Sequence, residues 1–215
     1  MEAKSQDTKA KRGRPVFQDD DSVQSRLLRA AAELFASYEF RAVSIRQIAK
    51  KADVNTAMIH YYFVDKLGLF TAMMEQVSLP VEQALNEIAA KDELSIKDFI
   101  STWIAALADN PWYSIFIIRE GIIGEGPVRD ATSERLRKSM APVMLRALEN
   151  DQKNGRIREN LDLNLVIMSL VSVLNFPFLV RPLMEKSLGI SFDHDEIHVL
   201  TEHVTDVFLH GVLDY

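Results

Sequence analysis

Residues 55–61 combine side chains that could contact nucleic-acid bases and the phosphates between them. Thr56, Ala57 and Met58 offer a hydroxyl, a methyl group and a thioether, and hydroxyl and methyl groups are among those that contact base edges in the major groove. Polar and basic side chains hydrogen-bond to phosphate oxygens and fix a protein's position on the duplex. Such side chains are available at Ser44, Arg46, Asn55, His60, Tyr61 and Lys66.

Two short helices are predicted to hold these side chains. Ser44 and Gln47 have the spacing of a capping box, which predicts a helix that starts at Ser44. Ala49 and Ala52 are small enough for a second helix to cross closely. The turn between the helices is expected at Ala52 to Val54.

Asn55 is a favourable N-cap for the second helix. Ile59, Tyr62 and Phe63 are expected to face inward, which leaves residues 56–58, 60 and 61 for a partner. A preceding helix completes the predicted three-helix domain. Its apolar stripe comprises Val23, Leu27, Ala30, Ala31, Leu34, Phe35 and Tyr38.

The stretch LLRAAAELFASYEFRAVSIRQIAKKADVNTAMIHYYFVDKLGLF resembles the DNA-binding domain of TetR-family transcriptional regulators. Its alanines, isoleucines and aromatic-Phe ending stand at the family's positions. Asp53 replaces a turn glycine, His60 replaces the first tyrosine of the recognition helix, and Gly68 stands where a charged residue is common. The resemblance implies a homodimeric regulator of a palindromic double-stranded DNA operator, most simply a repressor that a small molecule releases. An activator and a protein-interaction adaptor with weakened DNA binding are the alternatives.

The amino terminus adds a basic arm. Lys9, Lys11, Arg12 and Arg14 cluster there, and Arg12 to Pro15 reads RGRP. An extended arm of this kind can place Arg12 and Arg14 in an A·T minor groove, where the potential is most negative. The alternative is a disordered tail that contacts phosphates without sequence preference.

Composition limits the class of protein. The chain has 215 residues, a formal net charge of −6 and no cysteine, which excludes disulfides and thiolate metal sites. Residues 1–70 hold 12 Lys and Arg against 9 Asp and Glu, a net +3, whereas the remaining residues hold 13 against 22, a net −9. The basic end is therefore expected to face DNA. No signal-peptide core and no uninterrupted apolar run of spanning length is apparent, so we expect a cytoplasmic protein without a membrane partner.

The fold class is predicted to be all-α, because no alternating strand pattern with hairpin turns appears. We expect three regions: a flexible basic arm (1–21), a helix-turn-helix domain (22–70), and a helical effector-binding and dimerisation domain (71–215). Asp65 should cap a helix that Pro80 bends or breaks, and Ser95 and Asn110-Pro111 should open two more. Later helices are expected at about 127–154, 163–188 and 195–213.

The last two predicted helices each carry a broad apolar stripe. In TetR-like proteins the corresponding pair joins its symmetry mate in a four-helix bundle, and two half-sites require a dimer. The alternative is that both stripes bury only the monomer's own core. The residues assigned to the dimer interface are Leu170, Leu174, Val204 and Phe208.

A ligand site is expected between the connecting helix and the dimer helices, because aromatic surface with a few polar groups is typical of small-molecule cavities. The alternative is that the aromatic residues are plain core and that Arg119 and Glu120 form a surface or interdomain ion pair. An apolar lining favours a lipophilic effector. The predicted lining is Trp103, Trp112, Tyr113, Phe116, Arg119, Glu120, Asn175 and Phe176.

An enzyme has little support in the sequence. There is no glycine-rich phosphate loop and no nucleophile motif. His194, His198 and Glu202 are spaced like metal ligands, but three side chains spread over eight residues of one helix do not easily converge on one ion. We therefore expect no catalytic residues, no metal and no cofactor.

Overall fold

A computed structural model describes residues 21–192 and 194–212 of the chain. Within that part every regular element is a helix, which confirms the all-α prediction. The amino-terminal domain contains α1 (Val23–Ser37), a 3₁₀ turn (Phe40–Ala42), α2 (Ile45–Lys51) and α3 (Ala57–Phe63). A long helix, α4 (Lys66–Ala89), leads from it into the rest of the chain.

The carboxy-terminal domain packs against the far part of α4. It is built from α5 (Ile96–Asp109), α6 (Pro111–Phe116), a π-helical segment (Ile117–Ile123), α7 (Pro127–Lys138), α8 (Met140–Lys153), α9 (Leu163–Leu188) and α10 (His194–Val212).

Helix α1 forms the base of the amino-terminal domain. Leu27, Ala31 and Phe35 are fully buried, as the apolar stripe predicts. The ring of Phe40 stacks on that of Phe35 at 5.6 Å, and both meet the edge of Phe70 on α4. The prediction for Tyr38 is wrong: Tyr38 is the C-cap of α1, has an extended backbone and is exposed.

The helix-turn-helix forms as its caps predict. Ser44 accepts a hydrogen bond from the Gln47 backbone, and the Gln47 side chain accepts one from the Ser44 backbone at 2.7 Å. Ser44 itself is the N-cap, so α2 begins one residue later than predicted. In the turn, Asp53 takes the left-handed conformation with φ 54°, which asparagine and aspartate adopt more readily than most residues.

Helix α3 is capped by Asn55, whose Oδ1 accepts the Ala57 N–H at 2.8 Å. Ile59 and Phe63 are buried beneath it, as predicted. The prediction that Tyr62 faces inward is wrong, because its ring is exposed and meets the ring of Tyr61 edge-on at 4.9 Å. A helix as short as α3 buries a narrow stripe and leaves the rest to solvent.

The connection from α3 to α4 is unusually tight. Val64 has φ 69° and ψ −54°, and the Asp65 N–H donates to the Phe63 carbonyl at 2.8 Å. This is a γ-turn with positive φ, a rare and strained conformation for a β-branched residue. Asp65 then caps α4 as predicted, accepting the Gly68 N–H at 2.8 Å.

The structure differs from the predicted helix bounds at two places. Helix α4 continues through Pro80 to Ala89, so Pro80 does not break it. The single helix expected over 127–154 is divided at Ser139. Pro142 contributes to this division, since its ring clashes with the carbonyl four residues earlier, here that of Lys138, and it has no N–H to donate to that carbonyl.

Helix α9 has two apolar faces. Val166, Leu170, Leu174 and Phe178 are buried against the chain's own core. By length and composition alone Leu163–Arg181 could cross a membrane, but Asn164, Ser169, Ser172 and Asn175 interrupt its apolar residues. A second face of α9 is exposed and comprises Leu165, Met168, Ser172, Phe176, Leu179 and Leu183.

Candidate nucleic-acid interface

The outward face of α2 and α3 presents most of the predicted DNA contacts. Arg46, Asn55, Ala57 and His60 are exposed, and Tyr61 is 76% exposed. Residues 56 and 58 are half-buried, and the Met58 side chain packs partly against the core. The helix pair therefore offers one continuous surface on which polar, basic and small side chains alternate. Their roles in binding DNA stay predictions.

A hydrogen bond to the backbone determines which ring nitrogen of His60 carries the proton in the neutral ring. Its Nδ1 lies 2.9 Å from the Val64 carbonyl oxygen, which can only accept a hydrogen bond. Nδ1 must therefore carry the proton, and Nε2 of the neutral ring is an acceptor. When the ring is protonated, Nε2 becomes a donor suited to a phosphate.

Lys66 has a role that its sequence position does not reveal. Its ammonium donates to the carbonyls of Phe40 at 2.9 Å and Val43 at 2.8 Å, and it lies 4.2 Å from the Phe40 ring centroid. Partial burial lowers the pKa of Lys66 from its ordinary value. Two of the three ammonium hydrogens hold the loop before α2, so only the third can serve the predicted phosphate contact.

The π-helical segment (Ile117–Ile123) joins the two domains through Arg119. Its Nη1 donates to the Ala36 carbonyl at 3.3 Å, and its Nη2 donates to the Phe35 carbonyl. Both carbonyls belong to the last turn of α1, where backbone acceptors have no partner within the helix. The negative end of the helix dipole also favours a cation there.

Glu120 completes this contact. It is 5% exposed, and its Oε1 accepts from Arg119 Nε at 2.9 Å and from the Phe40 N–H at 3.3 Å. The predicted ligand residues Arg119 and Glu120 thus form an ion pair with each other, and both hydrogen-bond to the amino-terminal domain. Both also line a cavity of about 400 Å³ with residues 39–41, Leu67, residues 123–125 and residues 127–128.

The other predicted ligand residues form core in this conformation. Trp103, Tyr113 and Phe116 are buried, and the Trp103 ring meets that of Tyr113 edge-on at 5.9 Å. Burial raises the pKa of the Tyr113 hydroxyl. Two buried polar atoms nearby in the chain, Trp103 Nε1 and Ser114 Oγ, have no hydrogen-bond partner among the described residues.

The two α9 residues predicted for this site lie in different environments, one buried and one exposed. Asn175 is buried and donates to the Val171 carbonyl at 2.8 Å, whereas Phe176 is 59% exposed on the opposite face. Phe176 therefore does not line an internal site in one chain. The Trp112 side chain, Arg12 and Arg14 lie outside the described part of the molecule.

The dimer-interface assignment needs correction. Leu170, Leu174, Val204 and Phe208 are all buried within one chain, the last at 7% exposure. They cannot present their side chains to a partner without leaving the core. The exposed stripe of α9 recurs every three or four residues, a period that sequence analysis could have found as a second face. On α10 the exposed apolar residues are Val199 and Val207.

A metal site is not apparent in the described part of the chain, where no group of three or more His, Asp or Glu side chains could hold an ion. His198 Nδ1 lies 3.8 Å from a Glu202 carboxylate oxygen, and both side chains are exposed. The side chain of His194 is not among those described.

Helix caps, a crossed short helix pair and an exposed α3 define a helix-turn-helix protein. Residues 27–73 match the family model described as bacterial regulatory proteins, tetR family. "Probable HTH-type transcriptional regulator YttP" of Bacillus subtilis (strain 168) is 30% identical over 165 residues, which cover 74% of this chain and 78% of that protein. The HTH-type transcriptional repressor NicS of Pseudomonas putida is 23% identical over 163 residues, 74% of this chain and 77% of that protein.

Solved structures show the same fold. The regulator FadR from Bacillus subtilis, in complex with stearoyl-CoA, aligns with a TM-score of 0.69 at 19% identity over 87% of this chain and 98% of that one. HlyIIR, a hemolysin II transcriptional regulator, aligns with a TM-score of 0.61 at 20% identity over 90% and 98%. The chain belongs to the TetR family of transcriptional regulators.

Proposed function

We propose that this regulator binds a palindromic operator as a homodimer and represses transcription until a small lipophilic molecule binds its carboxy-terminal domain. One observation supports this most: α3 presents Ala57, His60 and Tyr61 outward, while Ile59 and Phe63 hold it on the buried face of the domain. A helix fixed in this way can enter the major groove.

In this proposal one group of residues contacts base edges and another contacts phosphates. Thr56, Ala57 and Met58 approach base edges, and the polar residues of both helices contact phosphates. These are Ser44, Arg46, Asn55, His60, Tyr61 and the free N–H of Lys66.

The exposed apolar stripe of α9 is the proposed dimer face. It places five exposed Leu, Met and Phe side chains along one face of the helix, and contiguous exposed apolar surface often marks a protein–protein interface. The exposed Val199 and Val207 of α10 extend the apolar surface of the final helix pair. A two-fold dimer through these helices would bury both stripes and hold two copies of α3 at a fixed separation.

The effector is proposed to bind near Trp103, Tyr113 and Ser114. The unpaired Trp103 Nε1 and Ser114 Oγ are polar atoms that a ligand could satisfy within an aromatic surrounding. A regulator of the same fold was solved with stearoyl-CoA, which makes long acyl chains the first compounds to test. With Trp112→Phe the chain retains a single tryptophan, Trp103. Its emission should change when palmitoyl-CoA or oleate is added, and should stay constant with glucose.

Cytoplasmic location is part of the proposal, as is a contribution of Arg12 and Arg14 through A·T-rich flanks of the operator. Deleting residues 1–15 should weaken binding more on A·T-flanked than on G·C-flanked sites. An equal loss of affinity on both kinds of site would mean that the arm contacts phosphates without sequence preference.

A selection experiment tests the function directly. Purified protein is mixed with fragments of its host genome, and bound fragments are sequenced over several rounds. We expect one enriched motif with two inverted half-sites. A reporter joined to the enriched fragment should be silent with the protein and active after effector is added. Failure to enrich any motif, with the protein folded, would contradict sequence-specific binding.

A further inference from the structure

We propose that Arg119 and Glu120 are positioning residues that set the orientation of each DNA-binding domain for two-site binding. This inference rests on the proposed function, since it concerns how a dimer reaches two half-sites. It uses the contacts of the π-helical segment with the end of α1 and with Phe40, which the connecting helix α4 also contacts through Lys66.

Arg119 holds the end of α1 through a guanidinium with fixed geometry. Its guanidinium makes three described hydrogen bonds, to two successive carbonyls at the end of α1 and to Glu120. A planar guanidinium with five donors in fixed directions can hold three acceptors at once, which a lysine ammonium cannot do in the same arrangement. The bonds therefore specify an angle between the domains as well as a distance.

Phe40 lies where the two domains and α4 meet. Glu120 of the carboxy-terminal domain accepts its N–H, Lys66 of α4 donates to its carbonyl, and its ring stacks on Phe35. One residue thus receives contacts from both domains and from the helix between them. The loop that leads into α2 is fixed relative to the carboxy-terminal domain through Phe40.

The backbone that carries Arg119 is itself unusual. Residues 117–123 are π-helical, a rare local structure that often marks functional positions. Gly121 within this segment faces α7: a Cβ atom there would lie 2.8 Å from Thr132 Cγ2. Movement of α7 or of the aromatic core that includes Phe116 would therefore be transmitted to Arg119 and Glu120 along a short path.

The test compares Arg119→Gln and Glu120→Gln with Arg137→Gln. Arg137 also forms a close ion pair, with Glu134 at 2.7 Å, but it is exposed on α7 and remote from the α1 contact. Each protein is titrated with DNA that carries either one half-site or both, taken from the enriched motif. Hydrogen exchange of the peptide covering residues 36–43 is measured on the same samples.

We expect Arg119→Gln to bind one half-site within about twofold of wild type and both half-sites on the order of tenfold more weakly, because linked binding depends on geometry. Exchange should accelerate at residues 36–43 and not in α3. Glu120→Gln keeps an acceptor for the Phe40 N–H and should show the smaller effect. Arg137→Gln should match wild type in both measurements.

Two results would overturn the inference. Equal loss on one and two half-sites would mean that the substitution damages the domain itself. Unchanged affinity and unchanged exchange at residues 36–43 would mean that the contact positions nothing. If wild type binds neither DNA, the proposed function fails and so does the DNA part of this inference, while the exchange data still decide whether Arg119 holds the loop.

Discussion

Gly68 lies directly against the carbonyl of Phe63, the last residue of the recognition helix α3. A Cβ atom at position 68 would overlap that carbonyl oxygen. The close approach exists because the γ-turn at Val64 folds the end of α3 back over the first turn of α4. The glycine is therefore needed for space, and its position ties the recognition helix to α4.

Gly68→Ala should destabilise the protein although the position is helical. Helix propensity alone favours alanine by about 1 kcal/mol, so a lowered melting temperature would show that the overlap with Phe63 dominates. We expect a loss of about 1–3 kcal/mol, as for overpacked sites. Thermal unfolding measures it, with the exposed Glu75→Ala on the same helix as control. A melting temperature above that of wild type would contradict the close approach.

Val64→Gly should stabilise the protein. Valine at φ 69° is strained, and such backbone outliers cost about 1–3 kcal/mol, whereas glycine reaches this region freely. Val64→Ala is the matched control, since it removes the side-chain methyl groups and keeps the penalty for positive φ. Urea unfolding should show a gain for glycine only. Equal stability of the two variants would count against a strained γ-turn.

A charge on the exposed face of α9 should separate the dimer. In Phe176→Glu or Met168→Glu a carboxylate would be buried without a partner in the proposed interface, at a cost of about 3–5 kcal/mol. Sedimentation should show folded monomers. Leu145→Glu, at an exposed leucine on α8, should stay dimeric. If both α9 variants remain dimers, the interface lies elsewhere.

Phe208→Glu gives the opposite outcome in the same experiment. Because Phe208 is buried within one chain, its substitution should unfold the carboxy-terminal domain instead of producing a folded monomer. Circular dichroism distinguishes the two. A folded monomeric Phe208→Glu would restore the interface that the sequence first indicated.

Arg46→Ala should weaken binding to all DNA sequences alike. Arg46 is exposed, and no described side chain pairs with it, so its guanidinium is free for a phosphate. Loss of one phosphate contact should reduce the slope of log affinity against log salt by about one unit. Lys51→Ala is the control, because the Lys51 ammonium is held by Glu33 at 2.8 Å. If the slope of log affinity against log salt is unchanged in Arg46→Ala, Arg46 does not contact a phosphate.

Local chemistry predicted much of this fold. Ser44, Asp65 and Ser95 each start a helix where sequence placed one, because a side-chain acceptor at an N-cap acts within three residues of itself. The turn at Ala52 to Val54 also lies where it was predicted, between the two short helices. Such features depend on neighbours in the chain and on little else.

Predictions of which helix face packs against the rest of the chain were less accurate. Helix α9 is apolar on both faces, so its sequence could not decide whether Leu174 or Phe176 meets the chain's own core. That choice depends on where α5, α6 and α8 pack, which is long-range information. Arg119 and Glu120 show the same limit, since their partners on α1 and the following turn are about 80 residues away in sequence.

The most direct test of a dimeric, sequence-specific DNA-binding protein is a titration of the enriched fragment with purified protein beside a scrambled fragment of equal length. At physiological salt we expect two chains per fragment and affinity at least about 10³-fold higher than for the scrambled DNA. Affinity should fall linearly with log salt. Equal affinity for both fragments, or saturation by a single chain, would contradict the account.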